Sequence, residues 1–296
     1  MKKRTIGVGG AILCLILSAA SGIAQETPKA FTLKLGGGAG SLSGGDLTSF
    51  KNGANELLRD IAGLAGGSMS GALENAKWGL ELEGELVYNI SGRLGIGLGT
   101  GYIRASADSL AEMRAGTLGR IAIGWKPVFT VVPVTVSGHY RFPVAPRLNV
   151  FARAGIGYYF AKLDYKTLEE SELYGLTLRE ENDGTARKSG WGVQGGVGLE
   201  VRISSRLALY VEAGGRSVAL TDWDVDNSYR NSNSLGSVKQ RGTFWYVEKN
   251  NEDTGKSYPG LEMKDTQPSD PTFLAVRKAK FSLSGIVFKT GVIFGF

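Results

Sequence analysis

The sequence predicts an all-β protein, an eight-stranded antiparallel up-and-down barrel that spans a membrane. Three observations support this prediction. Apolar residues alternate with polar or small ones over eight separate segments, which is the period of a β-strand. Short and long connections alternate strictly between the segments, as in transmembrane barrels with tight turns at one end. Glycine, 44 of 296 residues, concentrates inside these segments, where a narrow lumen leaves little room for side chains.

The eight predicted strands separate an apolar face from a polar or glycine-rich one. The clearest case is 77–90, where glutamates alternate with leucines and aromatic residues. The predicted strands are 30–42, 77–90, 94–104, 128–142, 148–162, 190–203, 206–217 and 281–296. Three short periplasmic turns and four long outer loops join them. The long outer loops are expected at about 43–76, 105–127, 163–189 and 218–279.

The first 24 residues match a secretory signal peptide. They have a basic start at 2–4, an apolar run centred on 12–17 and a small-residue cleavage site at 22–24. Residues 25–296 then form a single barrel domain. Cys14 is the only cysteine and lies in the signal peptide, so we expect no disulfide bonds.

Charge and hydropathy exclude several functional classes. The net charge of +6 includes three cations of the signal peptide, which leaves 6 − 3 = +3 for the mature chain. This small surplus, without a dense Lys/Arg block, gives no reason to expect nucleic-acid binding. No later stretch reaches the roughly 18 apolar residues of a membrane helix. The mean hydropathy is close to zero, which suits strands that are half polar.

A soluble lipocalin-like barrel has the same number of strands and must be weighed against the membrane barrel. Its apolar faces would point inward and its glutamates outward into water. Aromatic residues at the ends of the apolar faces favour the membrane barrel instead, because such residues form girdles at the two membrane interfaces. They are Trp78, Tyr88, Tyr102, Tyr140, Phe142, Tyr158, Phe160, Trp191 and Phe281.

Three stretches carry a family resemblance: 132–142 (VPVTVSGHYRF), then 146–148, then 150–160 (VFARAGIGYYF). They resemble the fourth and fifth strands of small Gram-negative outer-membrane β-barrel proteins of the OmpW/OmpA-like "outer membrane protein β-barrel domain" families. The resemblance implies the bacterial outer membrane and, as partners, outer-membrane lipids, lipopolysaccharide, periplasmic chaperones and the barrel assembly machinery. The last residues resemble the C-terminal signal read by that machinery. These are Phe296, Phe294 and Val292.

The predicted inward face collects a set of charged residues that form the candidate site. An eight-stranded barrel is just wide enough for its side chains to fill it, so buried charges there need partners across the lumen. They form either an ion-pair plug that holds the barrel shut or a narrow polar channel or gate. The residues are Glu81, Glu83, Glu85, His139, Arg141, Arg153, Glu200, Arg202, Glu212, Arg216 and Lys289.

Two other motifs carry weaker chemical predictions. Ser137 and His139 share one face, as in some outer-membrane acyl hydrolases, but their face points to the lumen and they lie near a short turn. The second motif resembles the first positions of a calcium-binding loop, with carboxylates at Asp222, Asp224 and Asp226. It lacks the glycine and the bidentate glutamate of such a loop. We therefore expect no enzyme activity, no cofactor and no dedicated metal site, with the three aspartates as a weak candidate.

The long loops suggest two further features. Helical spacing at 57–64 predicts a short helix that caps the barrel mouth or acts as a lid for an apolar ligand. The loop 218–279 contains 243–247 (TFWYV) and 258–260 (YPG), which predict an extension hairpin. The expected role is structural, or passage of small solutes, with hydrophobic solutes as one option. The alternatives are a surface adhesion or ligand-binding protein acting through 218–279 on an unknown ligand, and more remotely a lipid-modifying enzyme.

Overall fold

The computed structural model describes residues 30–115, 119–173, 176–232 and 237–296, and the predicted signal peptide lies outside them. Fifteen β-strands and one α-helix make up this part of the chain. The helix is α1 (Asp46–Leu64). The strands are β1 (Phe31–Ser41), β2 (Ser68–Gly71), β3 (Trp78–Asn89), β4 (Leu94–Ser106), β5 (Ser109–Ala115), β6 (Gly119–Ala145), β7 (Leu148–Leu173), β8 (Leu176–Arg202), β9 (Leu207–Thr221), β10 (Asp224–Asn231), β11 (Ser237–Asn251), β12 (Lys256–Lys264), β13 (Phe273–Lys278), β14 (Lys280–Ser282) and β15 (Gly285–Gly295).

Eight strands close into one antiparallel ring. Its order is β1, β3, β4, β6, β7, β8, β9 and β15, and β15 pairs back onto β1. The closing pair runs from Thr32 beside Gly295 to Gly40 beside Val287. Reciprocal backbone hydrogen bonds between Phe31 and Phe296, of 3.0 and 3.3 Å, extend it by one residue. The predicted all-β antiparallel fold and the pairing of the last segment with the first are confirmed.

The connections agree with the prediction at one end of the ring and differ at the other. The three short connections occupy 90–93, 146–147 and 203–206, where tight turns were expected. The predicted loop 163–189 is wrong, because β7 and β8 continue through most of it as a paired hairpin. This segment was predicted as a loop because its outward residues are charged. Its inward residues, such as Leu163 and Tyr165, still alternate with them and are buried.

The other predicted loops also contain regular structure. The stretch 43–76 holds α1 and β2, and 105–127 is mostly strand, with β5 paired between β2 and the start of β6. The long stretch 218–279 holds β10 to β13, and the expected hairpin is β11 with β12. These strands extend the ring into an outer sheet, since β10 pairs with the distal part of β8.

The two faces of the ring are opposite to those of a soluble barrel. Outward side chains in the band near the short turns are apolar and exposed, with Leu98 at 61% and Trp191 at 69% exposure. Inward side chains at the same level are charged and buried, with Glu85 at 1% exposure. A soluble barrel needs the reverse arrangement, so the lipocalin-like alternative does not fit. Exposed outward aromatic residues at the band edges include Trp78, Tyr88, Phe142, Phe160 and Trp191.

Further from the short turns the pattern inverts. The inward residues there become apolar and form one large core, which includes Phe129, Val131 and Trp223. Phe281 belongs to this core with no exposed surface, so its predicted place in an outward girdle is wrong. Phe281 has the same parity as Leu283, Val287 and Lys289, which are also buried, so the inward face continues across the break after Ser282.

Helix α1 covers the end of this core. It buries Leu47, Leu58 and Ala62, so the helix predicted at 57–64 is present but begins earlier, and Leu64 at its end is exposed. Gly53 packs against Pro259 of β12 closely enough that a Cβ would overlap it. A bidentate ion pair from Arg277 to Asp46, at 2.5 and 2.7 Å, fixes its first turn. Within the described ranges, no helix has the length and apolar character needed to cross a membrane.

Candidate functional site: the charged lumen

Buried charges fill the ring at the level of the exposed apolar band. We call this set the ion-pair plug, and its members point inward from five of the eight ring strands. They are Lys34 of β1, Glu81, Glu83 and Glu85 of β3, Arg153 of β7, Glu212 and Arg216 of β9, and Lys289 of β15. Four carboxylates thus face four cations, and the side-chain exposure of each is 10% or less.

Arg153 lies at the centre of the plug. Its Nη1 and Nη2 donate to both oxygens of Glu83, the second bond measuring 2.9 Å, and its Nε donates to Glu212 at 2.7 Å. A weaker contact of 3.3 Å reaches Glu85. The planar guanidinium therefore connects β3 to β9 across the lumen, with a fork geometry that an ammonium group does not offer. Lys34 forms a second ion pair with Glu212, with 2.5 Å between Lys34 Nζ and Glu212 Oε2.

A second group closes the plug towards α1. Lys289 contacts Glu83 directly and lies 3.9 Å from Glu81. Arg216 donates to Glu81 and to two backbone carbonyl oxygens, Leu283 at 2.7 Å and Ser41 at 3.0 Å. Each buried cation is thereby matched with carboxylate or carbonyl oxygens. Such matching is what keeps buried charges from destabilising the fold.

Ser137, His139 and Glu85 meet on the inner wall of β3 and β6. His139 Nε2 lies 3.0 Å from Ser137 Oγ and 3.0 Å from Glu85 Oε1, and Ser137 also donates to the same carboxylate. A hydrolytic relay needs the acid on one imidazole nitrogen and the serine on the other. Here both partners use one nitrogen, and all three groups are buried. The contacts make a hydrogen-bonded wall of the lumen.

Glycines make room for these side chains. A Cβ at Gly97 would overlap the Glu85 carboxylate and lie 2.8 Å from Ser137 Oγ, and a Cβ at Gly40 would overlap Glu81. Gly95, Gly97 and Gly99 of β4 all face inward and are buried. The prediction that glycines line the narrow lumen is confirmed, and β4 presents mostly backbone to the plug.

Very little space remains inside the plug. The cavity between Glu81, Glu83, Arg216 and Lys289 has a volume of about 20 Å³. A single water molecule needs roughly 10–15 Å³ of this kind of volume. Above it, Tyr159 is fully buried and begins the apolar core, which we call the upper core, continuing through Val131, Phe129 and Phe281 to α1.

The remaining predicted residues lie nearer the short turns. Arg141 Nε donates to Glu200 at 3.2 Å, and its Nη1 donates to Asn89 at 2.6 Å. Arg202 is half-buried at the mouth and forms no ion pair within the described residues. The structure thus brings together ten of the eleven predicted charges in two groups, and it leaves Arg202 outside both.

The aspartate candidate does not form a metal site. Asp222 has a positive φ of 64° and pairs with Lys278 at 2.5 Å, while Asp226 pairs with Arg241 at 2.9 Å. Asp224 and Asp226 lie on the outward face of β10, where basic residues surround them. No group of three or more His, Cys, Asp or Glu side chains in the described ranges is placed to hold a metal ion.

Sequence reasoning missed two parts of the lumen. Lys34 was absent from the predicted set, although its alternation with Leu33 and Leu35 placed it on the inward face. The upper core was missed because a polar lumen was expected along the whole ring. The available signal was 127–134 (PVFTVVPV), in which both faces of the strand are apolar.

A closed ring with an apolar outer band and a charged, filled interior defines a membrane β-barrel. The comparisons agree. The model of the family "Outer membrane protein beta-barrel domain" matches residues 10–240. The chain belongs to this family, and its location is the bacterial outer membrane. Membership of the OmpW branch in particular is not established by this match. No curated protein matches the chain significantly.

Several solved outer-membrane proteins are distantly similar to this chain. A major outer membrane protein from Thermus thermophilus is 14% identical, with 90% of this chain and 100% of that chain covered and a TM-score of 0.38. The outer membrane protease OmpT from Escherichia coli is 10% identical, with 93% and 99% covered and a TM-score of 0.28. A Pseudomonas aeruginosa FadL homologue is 8% identical, with 90% of each chain covered and a TM-score of 0.18. These likenesses are too distant to indicate a function.

Proposed function

We propose that this chain is a closed, eight-stranded transmembrane barrel with a structural role in the outer membrane. The observation that carries the proposal is the filled lumen, in which the ion-pair plug leaves a cavity of only about 20 Å³. The upper core and α1 add a second closure in series with the plug. A pore for solutes requires a continuous polar passage, and two different kinds of packing interrupt it here.

The proposed orientation places the short turns in the periplasm and the opposite end of the ring, with its extended strands and α1, outside the cell. Outer-membrane barrels generally have this arrangement. Strands β6, β7 and β8 are 26 or 27 residues long, whereas about 9–11 tilted residues cross a bilayer. The remainder, with β10 to β13 and α1, stands as a rigid platform above the outer leaflet.

The alternative of surface recognition through 218–279 has weaker support. Aromatic binding anchors must be exposed before a partner binds, whereas Trp223, Phe244, Trp245 and Tyr258 of this segment are all buried. They stabilise the outer sheet instead. The remote alternative of a lipid-modifying enzyme requires a serine nucleophile that lipid can reach, and Ser137 is enclosed. Outer-membrane lipids, lipopolysaccharide and the assembly machinery remain proposed partners, the last through Val292, Phe294 and Phe296.

Planar-bilayer recording of the purified protein tests the closed lumen. We expect no sustained openings from the wild type at either polarity. Arg153→Ala alone should also stay closed, because the upper core is untouched. Stable unitary conductance of the wild type, abolished by boiling the sample, would contradict the proposal. Heat-modifiable mobility of the same preparation on gels provides the control that the barrel was folded.

A further inference from the structure

The short-turn end of the barrel contains a cavity that the plug does not fill. It has a volume of about 530 Å³, which is within the size range of ligand pockets. Seven of the eight ring strands contribute to its lining, so it opens along the barrel axis and not towards lipid. We call it the arginine vestibule after the charged side chains in its lining, which are Arg93, Arg141, Arg202, Arg206 and Glu200.

The charges of the vestibule are unbalanced. The lining contains four arginines and one glutamate, Glu200, which already forms an ion pair with Arg141. Arg93, Arg202 and Arg206 therefore line the cavity without an acidic partner among the described residues. This contrasts with the plug, where every cation has a carboxylate. Three uncompensated guanidinium groups around one cavity favour an anionic ligand, and their fork geometry suits carboxylates.

The backbone holds these arginines at fixed positions. The carbonyl of Arg93 accepts a hydrogen bond from Arg141 N at 2.8 Å, and the carbonyl of Arg206 accepts one from Gly295 N at 2.8 Å. The two turns also share one local structure. Ser91 Oγ accepts from Arg93 N at 3.3 Å and Leu94 N at 3.1 Å. Ser204 Oγ accepts from the corresponding residues of its turn at 3.3 and 3.2 Å.

We propose that the arginine vestibule binds carboxylate groups of the anionic cell-wall polymer, through its peptides, and so tethers the barrel to the wall beneath the membrane. The proposal rests on the orientation proposed above, which faces the vestibule to the periplasm. An axial opening favours a polymer below the barrel over a lipid headgroup beside it, because outward residues at the same level are apolar. Phe142, Phe294 and Phe296 are examples, each exposed.

Cosedimentation with purified cell-wall sacculi tests the tether. Detergent-purified wild type should sediment with sacculi and should lose most binding when their carboxylates are blocked as neutral amides. The triple variant Arg93→Gln, Arg202→Gln, Arg206→Gln should bind at least about tenfold more weakly, given the strength of charge-assisted hydrogen bonds. The matched control Arg104→Gln, Lys162→Gln, Arg187→Gln removes the same charge from the other end, where all three side chains lie on one outward row of the sheet.

Three outcomes would overturn the proposal. The first is equal binding of wild type and the vestibule variant, and the second is equal loss in both triple variants. The third is no binding to sacculi together with binding to vesicles that contain phosphatidylglycerol, which would assign the arginines to lipid. Unheated gel mobility checks that each variant is folded. The assay uses purified protein, so a conducting lumen would refute the proposed closure and leave this result unchanged.

Discussion

The lower and upper halves of the barrel interior are filled in opposite ways by the same strands. On β7, Arg153 points inward below Tyr158 and Phe160, whereas Leu163 and Tyr165 point inward above them. The outward residues change in the reverse sense, from aromatic side chains to Lys162, Asp164 and Lys166. The strand keeps its period of two throughout.

This inversion follows from the surroundings. Where the outside is lipid, apolar side chains face outward and polar groups must pair inside. Where the outside is water, the hydrophobic effect drives apolar side chains inward as in a soluble protein. The level at which the pattern inverts therefore marks one edge of the bilayer, the outer one in the proposed orientation. The aromatic side chains Tyr158, Phe160 and Trp191 stand at this level, where β7 pairs with β8.

The largest expected effect comes from removing the centre of the plug. Arg153→Ala leaves Glu83 and Glu212 buried without their main partner, and breaking a buried ion pair costs about 3–5 kcal/mol. We expect a lower guanidinium midpoint in detergent, read by the fraction that resists unfolding on unheated gels. Arg241→Ala, which breaks a solvent-exposed pair with Asp226, should leave the midpoint nearly unchanged. Equal losses in the two variants would show that the plug adds no stability.

The second-largest loss of stability is expected from a substitution that creates a cavity in the upper core. Phe281 is fully buried between Trp223, at 5.2 Å between ring centroids, and Phe244, at 5.5 Å. Phe281→Ala should cost about 3 kcal/mol. Hydrogen exchange should rise in β9 to β14 and stay unchanged near the short turns, if the two halves are packed independently. The control Phe288→Ala truncates an outward, lipid-facing ring. Uniform loss of protection along the barrel would contradict this, because it would show that the two halves unfold as one cooperative unit.

The smallest effects are expected from pH, at two carboxyl groups of the outer platform. Hydrogen bonds donated by Tyr258 and Lys256 hold the pKa of Asp60 below its usual 3.8, so this link between α1 and β12 is complete above pH 3.8 and lost as pH falls through the lower folded value. Burial and the neighbouring Glu180 raise the pKa of Glu169 above 4.5. The ionised Glu169 carboxylate therefore destabilises the folded state at neutral pH, and this destabilisation disappears when the group is protonated on acidification.

Hydrogen exchange, corrected for intrinsic rates, separates these two carboxyl groups. Lowering the pH from about 6 to about 4 should slow exchange at the distal end of the β7–β8 hairpin and leave α1 unchanged. Lowering it further to about 3 should speed exchange in α1. Glu180→Gln should weaken the first effect, and Asp60→Asn should remove the second. Faster exchange of the hairpin end in the first step would contradict the sign derived for Glu169.

The sequence predicted the lower half well because one physical rule governs it. Alternation gave the eight ring strands, the short turns and ten of the eleven charges that pair in the lumen. It did not predict the upper half, where charged outward residues such as Lys166 and Asp183 read as loop although they pair with each other across two strands. Phe281 was placed outward as an aromatic residue at a strand end, although the two-residue period counted back from Phe288 and Ile286 puts it on the inward face, where it lies.

The packing of α1 has a consequence for the order of folding. The helix lies early in the chain, but its first turn is fixed by Arg277 and the backbone N–H of Lys280, and its middle packs on Pro259. These contacts come from the last part of the chain. Helix α1 can dock only after β12 and β13 exist, so the newly inserted ring stays uncapped until then. Docking of α1 therefore reports that the outer sheet has folded as well as the ring.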